Sequence, residues 1–355
     1  MSSSSNAIII EKKKQRGIIS EWIHTIFWAG LIAIVFRSFF LEPFNIPSGS
    51  MIPTLEVGDH LFVSKWDFGY SRYSFPFGSM NLWRGRIAQN NLPVAGDVVV
   101  FRKPGGTIEF VKRVVGMPGD TVQMRNGRLY INDKQVRREN PRRYIIANVS
   151  KKHRANGYVF QSGGDKMLIK GNRIFVNGVP ADFNFTIEYK EPWICVQTPG
   201  ECLVEEGVEW TEVLPNGRRY QIVELTDNGP LDNTGQFTVP ANRYFVLGDN
   251  RDRSSDSRSD TLGAVPFDNI IGRVWIIVYS HNYYSPLLFV WDWDSKMRWN
   301  RFWLRPNDFE YTDVTAPMPE VVVQVASAQV AAAAPVVEET TVFYADDYEV
   351  MEERR

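Results

Sequence analysis

Ser50 lies in the stretch Asn45-Ile46-Pro47-Ser48-Gly49-Ser50-Met51-Ile52-Pro53-Thr54-Leu55, where two prolines and a glycine impose a rigid, non-helical path. A hydroxyl held still in this way can act as a nucleophile if a base stands beside it, and histidine is the usual base. The chain has four histidines and no G-x-S-x-G elbow. His24 falls in an apolar run, His153 in a basic run and His281 after the last strand-like segment, which leaves His60 as the one near Ser50 in sequence. A second candidate base lies in Ile108-Glu109-Phe110-Val111-Lys112-Arg113-Val114-Val115. Strand alternation sets Lys112 on one face with Ile108, Phe110 and Val114, and burial among apolar groups lowers a lysine's pKa toward the working range. An edge-strand lysine with its head in water fits the same residues.

Positioning these groups requires a β framework. After residue 41 the chain reads as short Val, Ile, Phe and Tyr runs divided by Gly, Pro and Asn, with no sustained helical period. Val98 to Phe101, Ile108 to Val115, Tyr244 to Leu247 and Arg273 to Tyr279 read most clearly as strands, and Asn126-Gly127 and Asn177-Gly178 as hairpin turns. Both turns fall inside a long segment, about 121–240, that reads as an inserted subdomain within a core of about 42–120 and 241–314. Residues 125–136 and 172–181 look alike as hairpins, a likeness read here as chance. From Thr315 onward, 315–355 is rich in Pro, Ala, Val and Glu and reads as a disordered tail.

The framework begins with an apolar run from Ile18 to Leu41, preceded by a basic N-terminus, 1–17, that contains Lys12, Lys13, Lys14 and Arg16. As a helix, 18–41 can cross a hydrocarbon core of about 30 Å. It exits through Phe36-Arg37-Ser38-Phe39-Phe40 and not through the small residues of a cleavage site, so an uncleaved transmembrane anchor is expected. The lysines before the span place the N-terminus in the cytoplasm, with the region 42–314 exported.

Composition narrows the partners. A formal net charge of -1 offers no global attraction to nucleic acid, whereas the 13% aromatic share suits a surface resting at a lipid bilayer. Trp66, Phe68, Tyr70, Tyr73, Phe75, Phe77 and Trp83 read as a membrane-contacting flap, with core packing the alternative, and Trp291, Trp293, Trp299 and Trp303 as candidates to join them. Cys195 and Cys202 flank a Pro199-Gly200 turn and are a disulfide candidate if the domain is exported. Asp252-x-Ser254-x-Asp256 begins like an EF-hand loop, but Ser257 stands where the glycine belongs and Gly263 where the glutamate belongs, so no metal is expected.

Four segments occur in order: P-S-G-S-M-x-P-T-L around Ser50, G-D-x-x-x-V-x-K from Gly58 to Lys65, V-K-R-V-V-G-M-P-G-D from Val111, and G-D-N-R-D-x-S-x-D-S-R from Gly248. Together they resemble the sequence boxes of the type I signal peptidases, bacterial leader peptidases with a Ser-Lys dyad. The resemblance runs from the anchor to about Tyr279. It implies a mainly β fold, an N-terminal transmembrane helix followed by a signal-peptidase-like catalytic domain, with no cofactor. It implies a membrane-bound serine endopeptidase that cleaves signal peptides from exported preproteins after Ala-x-Ala, beside the secretion translocon of a bacterial inner membrane, with the catalytic domain periplasmic. Ser50 would be the nucleophile and Lys112 the general base. Ser48 and the Ser50 amide would form the oxyanion hole. Ser254 would orient Lys112, Asp249 would pair with Arg113, and Asp256 with Arg258. Phe44, Ile46, Pro47, Met51, Leu55, Phe110 and Val111 would line the substrate pockets. A narrower peptidase, maturing one secretion or conjugation substrate with the same chemistry, shares every one of these residues. A non-catalytic β-domain fits poorly with Ser50, Lys112, Ser48 and Ser254 together, and a self-cleaving repressor would need a DNA-binding segment where the anchor stands.

Overall fold

The computed structural model describes residues 18–75, 85–148, 157–162, 164–170, 173–181, 185–188, 204–281 and 297–308. The fold is mainly β, with one long helix, α1 (Ile18–Phe39), at the N-terminal end of the described chain. Glu21–Phe39 has a mean hydropathy of 1.5 and is almost wholly uncovered by the rest of the molecule, long and apolar enough to cross a membrane.

The largest sheet has seven strands, numbered along the chain and arranged in the order β1 (Leu41–Asn45), β2 (Asp59–Ser64), β21 (Ile270–Ser280), β5 (Val98–Arg102), β6 (Glu109–Gly116), β19 (Arg243–Leu247), β20 (Val265–Pro266). Every named neighbour pair is antiparallel. Val98, Val99, Val100 and Phe101 are all fully buried, which makes β5 a central strand covered on both faces. Ile46, Met51, Leu55, Leu61, Val63 and Val274 pack on one side; Phe68, Val114, Tyr244, Val246 and Ile270 pack on the other. Phe68 and Tyr70, read from the sequence as membrane-contacting, are instead buried; β3 (Tyr70–Ser71) pairs with β4 (Arg86–Ile87). Trp66, Trp299 and Trp303 are exposed, and Phe77, Trp83, Trp291 and Trp293 lie outside the described residues.

Three further sheets occupy the long middle segment: β18 (Phe237–Thr238), β7 (Thr121–Arg125), β8 (Arg128–Ile131), β9 (Lys134–Gln135); then β15 (Phe185–Glu188), β10 (Arg137–Asn148), β16 (Val204–Val213), β17 (Arg219–Glu224); then β11 (Tyr158–Ser162), β12 (Asp165–Lys170), β13 (Arg173–Val176), β14 (Val179–Pro180). The segment is packed against the seven-stranded sheet: Val122, Met124, Leu129 and Ile131 share a core with Val115, Phe245 and Leu247, and Ile52, beside Ser50, packs against Tyr144, Ile146 and Val223.

The likeness of the two hairpins is more than chance. β7-β8-β9 pairs Val122 with Ile131 and Ile131 with Lys134; β12-β13-β14 pairs Met167 with Val176 and Val176 with Val179, the same register at a constant 45-residue offset (Asp120 to Asp165, Asn132 to Asn177). The clasp is the same too. Asn132 accepts from the Thr121 amide at 2.9 Å and donates to Asp120 at 2.8 Å, while Asn177 accepts from the Lys166 amide at 3.0 Å and donates to Asp165 at 3.0 Å. Both asparagines have positive φ, which asparagine tolerates better than most residues. The likeness is hidden in the sequence because a clasp needs only two polar positions, while the apolar ones vary freely. The first copy packs on the seven-stranded sheet and the second on Ile145 of β10.

Candidate active site

The turn carrying Ser50 is held by its neighbours. Ile46, Met51, Ile52 and Leu55 are nearly or fully buried, so the short 3-10 turn Gly49–Met51 is pinned from both ends and Ser50 is left half-buried. Asn250 clamps it from outside, its amide donating to the Ser50 carbonyl and its Nδ2 to the Gly49 carbonyl, each at 3.2 Å. The Ser50 N–H, in the first turn, takes part in none of the described backbone hydrogen bonds, as expected of the leading amides of a helical turn. Ser48 precedes it in an extended conformation and is exposed.

Lys112 reaches this turn from the middle of β6, opposite Val99. Its Nζ lies 2.6 Å from Ser50 Oγ and 3.0 Å from the Val111 carbonyl, and the residue is only 2% exposed. Burial pushes its pKa down to about 8, against the pull of the Asp256 and Asp249 carboxylates. About one lysine in ten is then neutral at pH 7. Protonated, the ammonium donates to Oγ; neutral, the same line lets the hydroxyl donate to Nζ. The apolar cover differs in detail from the strand-face expectation. Phe110 lies with its ring centre 5.8 Å from Nζ and Val114 is buried, but Ile108 falls before β6 and is exposed.

Alternation turns Arg113 to the other face, where it meets Asp249 through Nε to Oδ1 at 2.8 Å and Nη2 to Oδ2 at 2.6 Å. Thr54, four residues after Ser50, donates to Asp249 at 2.5 Å and accepts from Arg113 at 3.1 Å, so this pair braces the Ser50 turn. Asp256 chelates Arg258 at 2.9 Å through each oxygen and accepts the Gly248 amide at 3.0 Å. A side chain at Gly248 would meet Ser254 Oγ at 2.1 Å and the Ser50 carbonyl at 2.6 Å, so only glycine lets these segments close together. Ser254 departs from expectation: its buried Oγ packs against Gly248 and makes no hydrogen bond to Lys112, and the polar group it acts on is the Asp256 carboxylate, which it helps Arg258 to hold below the usual range. Asp252, the remaining carboxylate of that loop, accepts the Leu225 and Thr226 amides at 2.6 and 3.1 Å. Among the described residues, no three His, Cys, Asp or Glu side chains are placed to hold a metal.

Phe44, Ile46, Met51, Leu55 and Val111 meet in one apolar cluster beneath Ser50, with Phe110 in the adjoining one and Pro47 exposed. β1 and the start of β6 face the same region: Phe44 and Val111 pack against one buried cluster, and Glu109 feels the charges of Arg102, Glu42, Lys65 and Arg37. A polar cavity of about 410 Å³ lies on the opposite side, between Thr54, Arg113, Arg142, Glu209 and Tyr220. His60 does not join Ser50; its Nε2 is 2.9 Å from that of His281 and its ring stacks on Tyr279. Cys195 and Cys202 lie outside the described residues. Thr54 and Asn250 were not singled out in the sequence, although both fall inside the quoted boxes. Their roles depend on which backbone each faces, which no spacing encodes.

The family model described as "Signal peptidase, peptidase S26" matches residues 19–162 and 158–279. Signal peptidase I of Rickettsia typhi is 35% identical over 257 residues, covering 70% of this chain and 76% of its own, and that of Rickettsia conorii is 33% identical over 260 residues, covering 70% and 75%. A solved signal peptidase I from Enterococcus faecalis aligns with 52% of this chain and 97% of its own at 21% identity with a TM-score of 0.22, too loose a superposition to bear on the fold.

Proposed function

Because the chain belongs to the peptidase S26 family, the signal peptidases, and is a serine peptidase acting in signal peptide removal, we propose that Ser50 is its nucleophile and Lys112 its general base. The observation that carries this reading is the 2.6 Å approach of Lys112 Nζ to Ser50 Oγ, with the lysine buried enough to lose its proton. Neutral Lys112 takes the Ser50 proton as Oγ attacks the scissile carbonyl, and the resulting ammonium returns a proton to the leaving amine. The acyl-enzyme then falls to water deprotonated by the same lysine. The free Ser50 N–H and the exposed Ser48 hydroxyl hold the oxyanion. Arg113 with Asp249, and Asp256 with Arg258, keep the two catalytic segments in place, and Ser254 fills the space behind Gly248.

The substrate lies extended between β1 and β6, adding main-chain hydrogen bonds in the manner of strand addition. Its small side chains enter the apolar cluster of Phe44, Ile46, Met51, Leu55 and Val111, flanked by Pro47 and Phe110, where larger ones would clash. α1 anchors the enzyme in a bacterial inner membrane with the basic N-terminus cytoplasmic and the catalytic region, 42–314, outside, acting on preproteins beside the translocon. The test is the cleavage of several unrelated preproteins by the native chain and by Ser50→Ala. Native cleavage after small residues, with loss of at least about a thousandfold in the variant, is expected; equal rates in the variant would refute the assignment. Cleavage of a single member of the panel would instead mark a dedicated maturation peptidase.

A further inference from the structure

Lys65 closes the Gly58 to Lys65 box, yet the peptidase chemistry above makes no use of it. It is 1% exposed, and all three of its ammonium donors are spent. One goes to the Arg37 carbonyl in the last turn of α1 at 2.9 Å, one to Glu42 on β1 at 2.9 Å, and one to the Ser74 carbonyl. The rest of the junction is built the same way. The Lys65 amide donates to the Phe40 carbonyl at 3.2 Å, and the Tyr70 hydroxyl to the Phe39 carbonyl at 2.7 Å. Arg37 turns back to Glu42 at 2.9 to 3.1 Å, and the Phe39 ring meets Tyr70 and Phe75 edge-on.

The last carbonyls of a helix have no intrahelical partners, and a helix joined by a loose tether would leave them to water. Here the catalytic body supplies the partners, and a buried cation faces the negative end of the helix dipole. Burial works against the ammonium and lowers its pKa, while Glu42 holds the charge in place. β2, which carries Lys65 just past its end, also pairs with β1 along its whole length, and Asn45 of β1 leads directly to the Ser50 turn. The helix axis and the nucleophile are therefore parts of one rigid piece.

We propose that Lys65 is a positioning residue that docks the membrane helix rigidly on the catalytic body, holding the Ser50 turn at a set height and orientation for substrates that are themselves embedded in a bilayer. The proposal rests on the reading of α1 as a membrane anchor and of the chain as a signal peptidase. A short soluble peptide, free to approach from any side, has no need of that docking.

The experiment compares two substrates in phosphatidylethanolamine/phosphatidylglycerol vesicles carrying the full chain: a soluble peptide with an Ala-x-Ala site, and a preprotein inserted in the same vesicles. Lys65→Met keeps the apolar stem and removes the ammonium. The expected result is a kcat/KM on the peptide within about twofold of native and a loss of about tenfold or more on the inserted preprotein. An equal fall on both substrates would reduce Lys65 to a residue of the fold, and no fall on either would remove the docking role; both overturn the proposal. Tyr70→Phe, which deletes one capping bond and no charge, should give the same split at smaller size. It decides the matter if Lys65→Met does not fold, since no split there also overturns the proposal. Failure of the native chain to cut either substrate would sink the peptidase reading itself and not the docking.

Discussion

At the scale of single residues, burial gives Lys112 the lowered pKa that the proposed base role requires. With its pKa lowered to about 8, the neutral fraction grows as pH rises through that value and is mostly lost below pH 7. The rate is expected to rise with pH through one inflection near 8 and to vanish in Lys112→Ala. Lys112→Arg should not restore it, because a guanidinium keeps its proton in this range. A pH–rate profile with an inflection near 6.5, abolished by His60→Ala, would transfer the role to histidine. Glu212 shows the opposite use of burial. Burial alone would raise its pKa, but Arg251 and Arg138 hold it at about 2 against an ordinary value of 4.5, with Arg251 donating at 2.9 and 2.5 Å. A carboxylate depressed in this way contributes stability above pH 4.5, on the order of 3 kcal/mol, and loses it as pH falls toward 2. Glu212→Gln should cost about 3 to 5 kcal/mol at pH 7 by denaturant unfolding. The gap from native should narrow below pH 4.5, and a cost independent of pH would show that the ionised form is not what matters.

At the scale of elements, the two hairpins share one construction and differ in what they support. Asn132 clasps the copy whose core includes Phe245 and Leu247, strand neighbours of β6, which carries Lys112; Asn177 clasps the copy that packs on Ile145. Asn132→Ala is expected to lower the Tm of the catalytic body by several degrees, consistent with losing hydrogen bonds worth about 1 kcal/mol each. Asn177→Ala should leave that Tm and the cleavage rate nearly unchanged, and raise hydrogen exchange within β12 to β14 only. Equal losses in both variants would mean that the second copy is as integral to the core as the first. The strands β5, β6, β19 and β21 were legible because continuous Val, Ile and Phe runs of strand length leave little alternative. The repeat was not, since its signature is a register and two side-chain bonds.

At the scale of the whole molecule, α1 is long and apolar enough to cross a membrane and is uncovered by the body it leads into, and the proposed anchoring predicts how the protein fractionates. The full chain should resist alkaline carbonate extraction from membranes, and deletion of residues 1–39 should release most of the protein into the soluble fraction. Retention of the truncated chain would assign the membrane contact to exposed rings such as Trp66, Trp299 and Trp303.

The sequence alone determined the apolar N-terminal helix, the β character and the family, and it supplied the pair proposed to react, since these depend on residue type, local period and short ordered motifs that survive without knowledge of contacts. The tertiary structure alone decided how the pair is held. Ser50 and Lys112 are far apart in the chain and meet because the buried apolar residues of the Ser50 turn pack into the core of the sheet that carries Lys112. It placed Thr54 between Arg113 and Asp249, set Ser254 against Gly248 and Asp256, and joined Lys65 to the end of the helix. Each of these is a contact between distant segments, set by packing and by the need of buried polar groups for partners, and neither is written in local spacing.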